Sequence, residues 1–362
     1  MQDHTASGHG IRIALDVMGA DKGLSEVLDG VGKAYADGLQ AHIVLHGREE
    51  EISSVVNARG LNDKPISIIH AEDIITMEHK PTDALRRGKK SSMWSAIATV
   101  KNGDAAAAVS SGNTGALMAM GVLQLRKIEG IDRPAIGCIW PTIRGKSVVL
   151  DVGANVEATS KQLVQFAIMG EAYFRALTAK QSPTVGLLNV GAEEMKGHDL
   201  IRTAATILKE ADREMDFVGF VEGNGISFGE ADVVVTDGFT GNVALKTAEG
   251  TARMIGGWMK DALTANLLSK AGAALMMPSL KNLKQRMDPS EANGAPLLGL
   301  NGLVIKSHGG SDADGIAAAV RTAETLANHP FQDEIRRTVA KVEARAEEKH
   351  LAIEATAEAA AE

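Results

Sequence analysis

Short apolar runs that end in glycine or a small polar residue recur along the chain, separated by segments with helical spacing. IRIALDVMG (11–19) reads as a buried strand running into a glycine turn, and AHIVLHG (41–47) and ISIIHA (66–71) repeat that pattern. Between them, Leu24 to Asp37 and Glu49 to Asn57 set apolar side chains at helical intervals. A strand, a turn and a helix follow in DAAAAVSSGNTGALMAM (104–120), then strands at SVVLDVGAN (147–155), PTVGLLNVG (183–191), FVGFVEGNG (217–225) and ADVVVTDGF (231–239). This alternation predicts an α/β fold with a largely parallel sheet and ligands at the carboxyl ends of its strands. No shift in composition marks an internal border. The expected organisation is a disordered extension at 1–10, one α/β domain over 11–330, and a charged, alanine-rich helical tail at 331–362 without chemistry.

Residues 247–289 break the pattern. Ile255, Trp258, Met259, Ala262 and Leu263 recur at helical spacing, and Leu267, Leu268, Ala271 and Leu275 continue the stripe until Met276, Met277 and Pro278 interrupt it. From Trp258 to Pro289 the net charge is +3, within a chain of net charge −8. A core or dimer-packing helix explains the stripe without any lipid. The local charge favours an amphipathic hairpin at about 250–290, whose tip (Leu267, Leu268, Leu275, Met276, Met277) enters a membrane interface while Lys270 and Lys281 meet anionic headgroups.

The charge balance, 38 basic against 46 acidic residues, argues against a general nucleic-acid binder. Apolar residues at 44% and charged residues at 23% are those of a folded chain with a substantial core. A single cysteine, Cys138, excludes an intramolecular disulfide and a thiolate zinc cluster. The polar first residues show no export signal, and no apolar stretch reaches the roughly 18 residues that span a bilayer. The expectation is a cytoplasmic protein able to rest on a membrane surface.

Five strand ends could carry chemistry. SSGNTGA (110–116) opens a helix with small polar residues and glycines, which exposes backbone N–H groups to an oxyanion or phosphate through Ser111, Asn113 and Thr114. It lacks the Gly-Lys-Ser/Thr of a Walker loop and the first glycine of a dinucleotide fingerprint, and an ordinary capped turn explains the same residues. RRGKKSSM (86–93) sets four cations beside Ser91 and Ser92, a phosphate clamp or a solvated helix face with a cap. LLNVGAEEMKGHD (187–199) brings Asn189 and Lys196 to a glycine-bounded loop, where a lysine can neutralise an oxyanion or sit in solvent. VTDGFTGNVALK (235–246) supplies Asp237 and Asn242, and GLNGLVIKSHGGSDADGI (299–316) delivers Lys306, Ser307 and His308 to a Gly-Gly turn. A histidine there handles a proton or simply bonds to the fold. No metalloprotease motif, paired-cysteine site or nucleophile elbow is present, and no covalent nucleophile stands out.

Taken in order, IALDVMGAD (13–21), KKSSM (89–93), SSGNTGALMA (110–119), DVGANVE (151–157), LLNVGAEEMKG (187–197), GFVEGNGI (219–226), DVVVTDGFTGNVALKTAEG (232–250) and APLLGLNGLVIKSHGGSDA (295–313) resemble the PlsX family of acyl-[acyl-carrier-protein]:phosphate acyltransferases. The resemblance runs from about Ile11 to Ala327. The first turn, GADKGLSEVLDG, departs from it, lacking the second glycine after MG and the proline after the aspartate. The resemblance implies a three-layer α/β/α fold related to isocitrate and isopropylmalate dehydrogenases and to phosphotransacetylase. It implies a homodimer, peripheral at the inner face of the membrane. The implied reaction moves a long-chain acyl group from acyl-acyl-carrier protein to inorganic phosphate. The acyl phosphate then passes to a membrane-bound glycerol-3-phosphate acyltransferase in phospholipid synthesis.

For that chemistry phosphate is itself the nucleophile, so no cofactor and no metal is expected. The protein must position phosphate, polarise the thioester and stabilise the departing thiolate. Ser91, Ser92, Ser111, Asn113, Thr114, Asn155, Asn189 and Asp237 are the expected substrate-binding residues, with Lys196, Asn242 and His308 catalytic. The alternatives are a phosphotransacetylase-like enzyme using acyl-coenzyme A and a non-catalytic membrane scaffold.

Overall fold

Strand residues alternate between two apolar faces, and that alternation builds three layers. The computed structural model describes residues 10–211, 215–280 and 293–344. Eleven strands form one sheet in the order β3-β2-β1-β4-β11-β10-β5-β6-β9-β7-β8. They are β1 (Arg12–Asp16), β2 (His42–Gly47), β3 (Ile66–His70), β4 (Ala107–Ser110), β5 (Ala135–Thr142), β6 (Gly145–Leu150), β7 (Thr184–Leu188), β8 (Asp216–Val221), β9 (Val233–Val235), β10 (Ala295–Leu298) and β11 (Leu303–Lys306). On one face Ile13, Leu15, Val109, Leu150, Val235 and Ile305 pack under the helices Gly23–Ala36, Ser160–Thr178 and Ala313–Ala327. The opposite face presents Ala14, Ala108, Val149, Val234 and Val304 to the helices Ser92–Lys101 and Thr114–Leu125. A one-residue slip of any strand would exchange the two sets.

Two parallel wings, β3-β2-β1-β4-β11 and β6-β9-β7-β8, run in opposite directions because the three central pairings, β11 with β10, β10 with β5 and β5 with β6, are antiparallel. The register sets their carboxyl ends level. His46, Asp16, Ser110 and Lys306 lie in one transverse row. Lys306 faces Ala295, Leu297 faces Ile136, Gly137 faces Leu150, and Leu150 sits beside Val235. The two sets of strand ends that could hold ligands are therefore separated by only β10 and β5.

Several elements differ from the sequence expectation. β5 and β10 carry no clear strand signal, because Gly137 and Pro141 interrupt the first and the second is only APLL. The glycine turn at 238 and the first half of the apolar stripe, Ile255 to Leu263, belong to one helix, Gly238–Thr264, continuous for 27 residues, and the second half to the helix Leu267–Leu275. The tail is not a solvated helix from its start: residues 331–344 are helical, with Phe331, Ile335 and Val339 buried in the core and Glu334 paired with Arg175. Residues 1–9 and 345–362 of the extension and tail lie outside the described residues, as does Lys281.

The described part of this stretch, up to residue 280, stands off the core. After Ala248, which still packs on the body, the long helix contributes no side chain to either core cluster. The helix Leu267–Leu275 follows in contact with it and has no buried residue. Leu267, Leu268 and Leu275 are 86%, 85% and 86% exposed, and Trp258, Met276 and Met277 are exposed too. Among the described residues no helix is long and apolar enough to cross a membrane.

Candidate active site

Asp16 ends β1 in a buried setting. Its carboxylate accepts from Ser110 Oγ at 2.7 Å and from the Met18 N–H at 3.3 Å, and Ser92 and the Gly19 N–H also bond to it. Burial pushes its carboxyl up from the usual range against those hydrogen bonds. The turn after β4 folds onto the turn after β1: a β-carbon at Gly19 would lie 2.9 Å from Gly112 Cα, so only glycine permits the approach. The Gly112 N–H donates to Ser110 Oγ at 3.1 Å, and Asn113 then caps the helix Thr114–Leu125 through the Ala116 N–H.

Lys306, at the end of β11, enters this corner. Its ammonium donates to the Ser111 carbonyl at 3.3 Å and to the Ser307 carbonyl, and among the described residues it has no carboxylate at ion-pair distance. Burial lowers its pKa to about 8, with Lys246 adding to the effect while Asp21 and Asp16 oppose it. The same charges reach His308, whose pKa is lowered by burial first and then by Lys246 and Lys306, against Glu249 and Asp21. The Gly310 N–H donates to His308 Nδ1 at 3.1 Å, which leaves the proton of the neutral ring on Nε2.

The second corner is built on Asp151. Its Oδ1 accepts from the N–H groups of Ile136, Gly153 and Ala154, and its Oδ2 from the Asn155 N–H at 2.6 Å and Asn155 Nδ2 at 2.9 Å. Burial is again the largest influence and raises its pKa. The long helix starts against this loop. Asp237 caps it through the Thr240 N–H, the Gly238 N–H donates to the Asn155 carbonyl at 2.7 Å, and a β-carbon at Gly241 would sit 2.0 Å from the Asp151 carbonyl oxygen. Asn242 lies against Gly153, and Lys246, one turn on, reaches the field of Lys306 and His308. One helix thus joins the two corners.

The expected residues sort by what they already bond. Ser91 is buried and acts as a helix cap, donating to the Gly88 carbonyl at 2.6 Å and accepting from the Trp94 N–H. Asn113 donates to the carbonyls of Thr76, Met77 and His79, Asn155 to Pro134, and Asn189 to Gly191 and Lys196. These amides are spent on shaping the turns themselves. Ser111 is buried and offers its carbonyl to Lys306, whereas Thr114, Lys196, Asn242 and His308 are exposed and open. Lys196 sits beyond β7 on the Asn189 loop, in the wing that carries the second corner. Sequence reasoning gave no role to Asp16, Ser110, Asp151 or Lys246, and named Lys306 only as a residue delivered to the Gly-Gly turn. All five close or follow an apolar run already in view, and only the sheet register shows Asp16, Ser110 and Lys306 side by side. Among the described residues no cluster of acidic, histidine or cysteine side chains could hold a metal.

The architecture is that of the phosphotransacetylases. The enzyme from Streptococcus pyogenes superposes with a TM-score of 0.61, covering 88% of this chain and 94% of that one at 17% identity. The EutD phosphotransacetylase from Staphylococcus aureus gives 0.57, covering 89% and 95% at 16% identity. Residues 11–334 match the family described as "Fatty acid synthesis protein". The phosphate acyltransferase of Maricaulis maris is 50% identical over 333 residues, 91% of this chain and 95% of that one. That of Caulobacter vibrioides is 49% identical over 338 residues, 92% and 93%. The chain belongs to this family, the PlsX phosphate acyltransferases.

Proposed function

We propose that the protein transfers a long-chain acyl group from acyl-acyl-carrier protein to inorganic phosphate, supplying acyl phosphate for phospholipid synthesis. The observation that carries this reading is the ammonium of Lys306, partly buried beside the turn at 111–114 and, among the described residues, without a carboxylate at ion-pair distance. A desolvated cation needs a compensating anion, and the leading N–H groups of the helix Thr114–Leu125 favour the same occupant. Ser92, which bonds Asp16, and Ser111 and Thr114 of the turn itself would meet the phosphate, over the frame held by Ser91 and Asn113.

An oxygen of hydrogen phosphate attacks the thioester carbon, the C–S bond breaks, and the phosphate proton leaves with the carrier's thiol. The protein contributes position and charge. Lys306 holds phosphate, and Asn242, Lys196 and the Nε2–H of His308 serve the carbonyl oxygen and the leaving sulfur. Asn155, Asn189 and Asp237 support them from the second corner. The exposed apolar tip at Leu267, Leu268, Leu275, Met276 and Met277, with Lys270 and Lys281, suits the inner face of an anionic membrane. A homodimer there would hand its product to a membrane-bound glycerol-3-phosphate acyltransferase.

The test is hydroxylamine trapping of acyl phosphate from palmitoyl-carrier protein with and without phosphate. Phosphate-dependent hydroxamate supports the reading. Thioester cleavage without phosphate consumption overturns it, and a preference for acetyl-coenzyme A transfers the assignment to a phosphotransacetylase.

A further inference from the structure

The turn that carries His308 contains two consecutive glycines and depends on a neighbour for its shape. That neighbour is Asn293, just before β10, where the described chain resumes after the hairpin. Its Nδ2 donates to Ser307 Oγ at 2.9 Å, to Ser311 Oγ at 2.8 Å and to the Gly315 carbonyl at 2.8 Å. Its Oδ1 accepts from the Gly294 N–H at 3.0 Å and from the His308 N–H at 3.1 Å. Ser307 and Ser311 hydroxyls lie 3.1 Å apart, and the Ser307 N–H is tied to the Ser110 carbonyl at 2.9 Å. One amide therefore bridges both limbs of the turn and the start of the helix Ala313–Ala327. No other side chain bonds the His308 backbone among the described residues.

We propose that Asn293 is a positioning residue for the reaction, holding the 307–311 turn in the conformation that aims the His308 ring into the site. The inference rests on the part given to His308 in the proposed function. An amide suits the task because it offers donors and an acceptor at once. Alanine removes all five bonds. Aspartate keeps the acceptor for the His308 N–H and loses the donors to Ser307, Ser311 and Gly315.

A double-mutant cycle with His308 tests it. Asn293→Ala should lower kcat by about 10-fold or more with KM for phosphate within about twofold of the parent, and Asn293→Asp should fall between. In a His308→Ala background, either change should cost less than about twofold further, because the ring it aims is already gone. The same fold loss in both backgrounds overturns the proposal, since a merely structural role is indifferent to the ring. Asn293→Asp, isosteric with the parent, carries the cycle if the alanine variant does not fold. If His308→Ala alone leaves turnover at the parental level, the assignment of His308 falls and this proposal with it. An impaired His308→Ala enzyme with multiplicative losses removes only Asn293.

Discussion

Lys306 and Ser110 stand opposite each other in the register of β11 and β4, and the ammonium of the first closes over the turn that follows the second. Lys306 thus occupies a place where the fold gains little from its charge. Its pKa of about 8 lies below the ordinary 10.5, so the unfolded chain holds that proton more tightly. The cost is complete below about pH 8 and disappears as the pH rises toward 10.5. Lys306→Met should therefore raise stability at pH 7 by about 1–3 kcal/mol while abolishing most turnover. Denaturant unfolding and the hydroxamate assay check both halves; a destabilised variant would contradict the first. In the parent, phosphate affinity should weaken as the pH passes about 8.

His46 shares the transverse row and is fully buried, its Nδ1 2.9 Å from Ser95 Oγ and its Nε2 3.4 Å from Thr99 Oγ1. Burial lowers its pKa to about 4 from 6.5. The unfolded state takes up the proton first, so stability is complete above about pH 6.5 and drains as the pH falls toward 4. The full loss from this group is about 3 kcal/mol. Unfolding free energies measured from pH 7 down to 4.5 should show the decline, and His46→Gln should flatten it.

Asp237 accepts from the Thr240 N–H at 2.8 Å and from Thr240 Oγ1 at 2.8 Å. Asp237→Ala should cost about 1 kcal/mol as a lost cap and disturb Asn242, which rides on the first turns of the same helix. Asp237→Asn keeps an oxygen in place and should retain most stability. If the carboxylate itself served the reaction, Asp237→Asn would be as inactive as the alanine variant while remaining fully folded.

Leu268→Glu with Met276→Glu sets two charges on the exposed tip without touching the body. Flotation with anionic liposomes should lose the variant and recover the parent, while hydroxamate formation in solution stays within about twofold. Equal flotation of both would remove the membrane role of the tip.

Much of this was legible in the sequence, in proportion to how local the signal is. Ile13, Leu15, Ile43 and Leu45 announce buried strands by themselves, and the caps at Ser91, Asn113 and Asp237 are residue types that declare helix starts. The antiparallel centre was not legible, since Pro141 and Pro296 sit inside the strands that reverse the wings. The site follows the same division. Asn242, Lys196 and His308 stand out as polar residues after glycine turns. Asp16 and Asp151 read as ordinary strand ends, and their burial depends on neighbours far away in sequence. Nor can spacing alone tell an amide that meets a ligand from one that props a loop, which is why Asn113 and Asn155 look like ligands until their donors are traced.

The helix Gly238–Thr264 acts as a ruler. Asn242 stands near its zero mark, and its far end lies about 33 Å away at 1.5 Å per residue. If a surface receives the apolar tip as proposed, the helix keeps it at a set standoff from Asn242. Deleting four residues, just over one turn, would draw the tip about 6 Å nearer and swivel it by about 40° about the helix axis, so reach and facing could be altered with the first turns of the helix left intact.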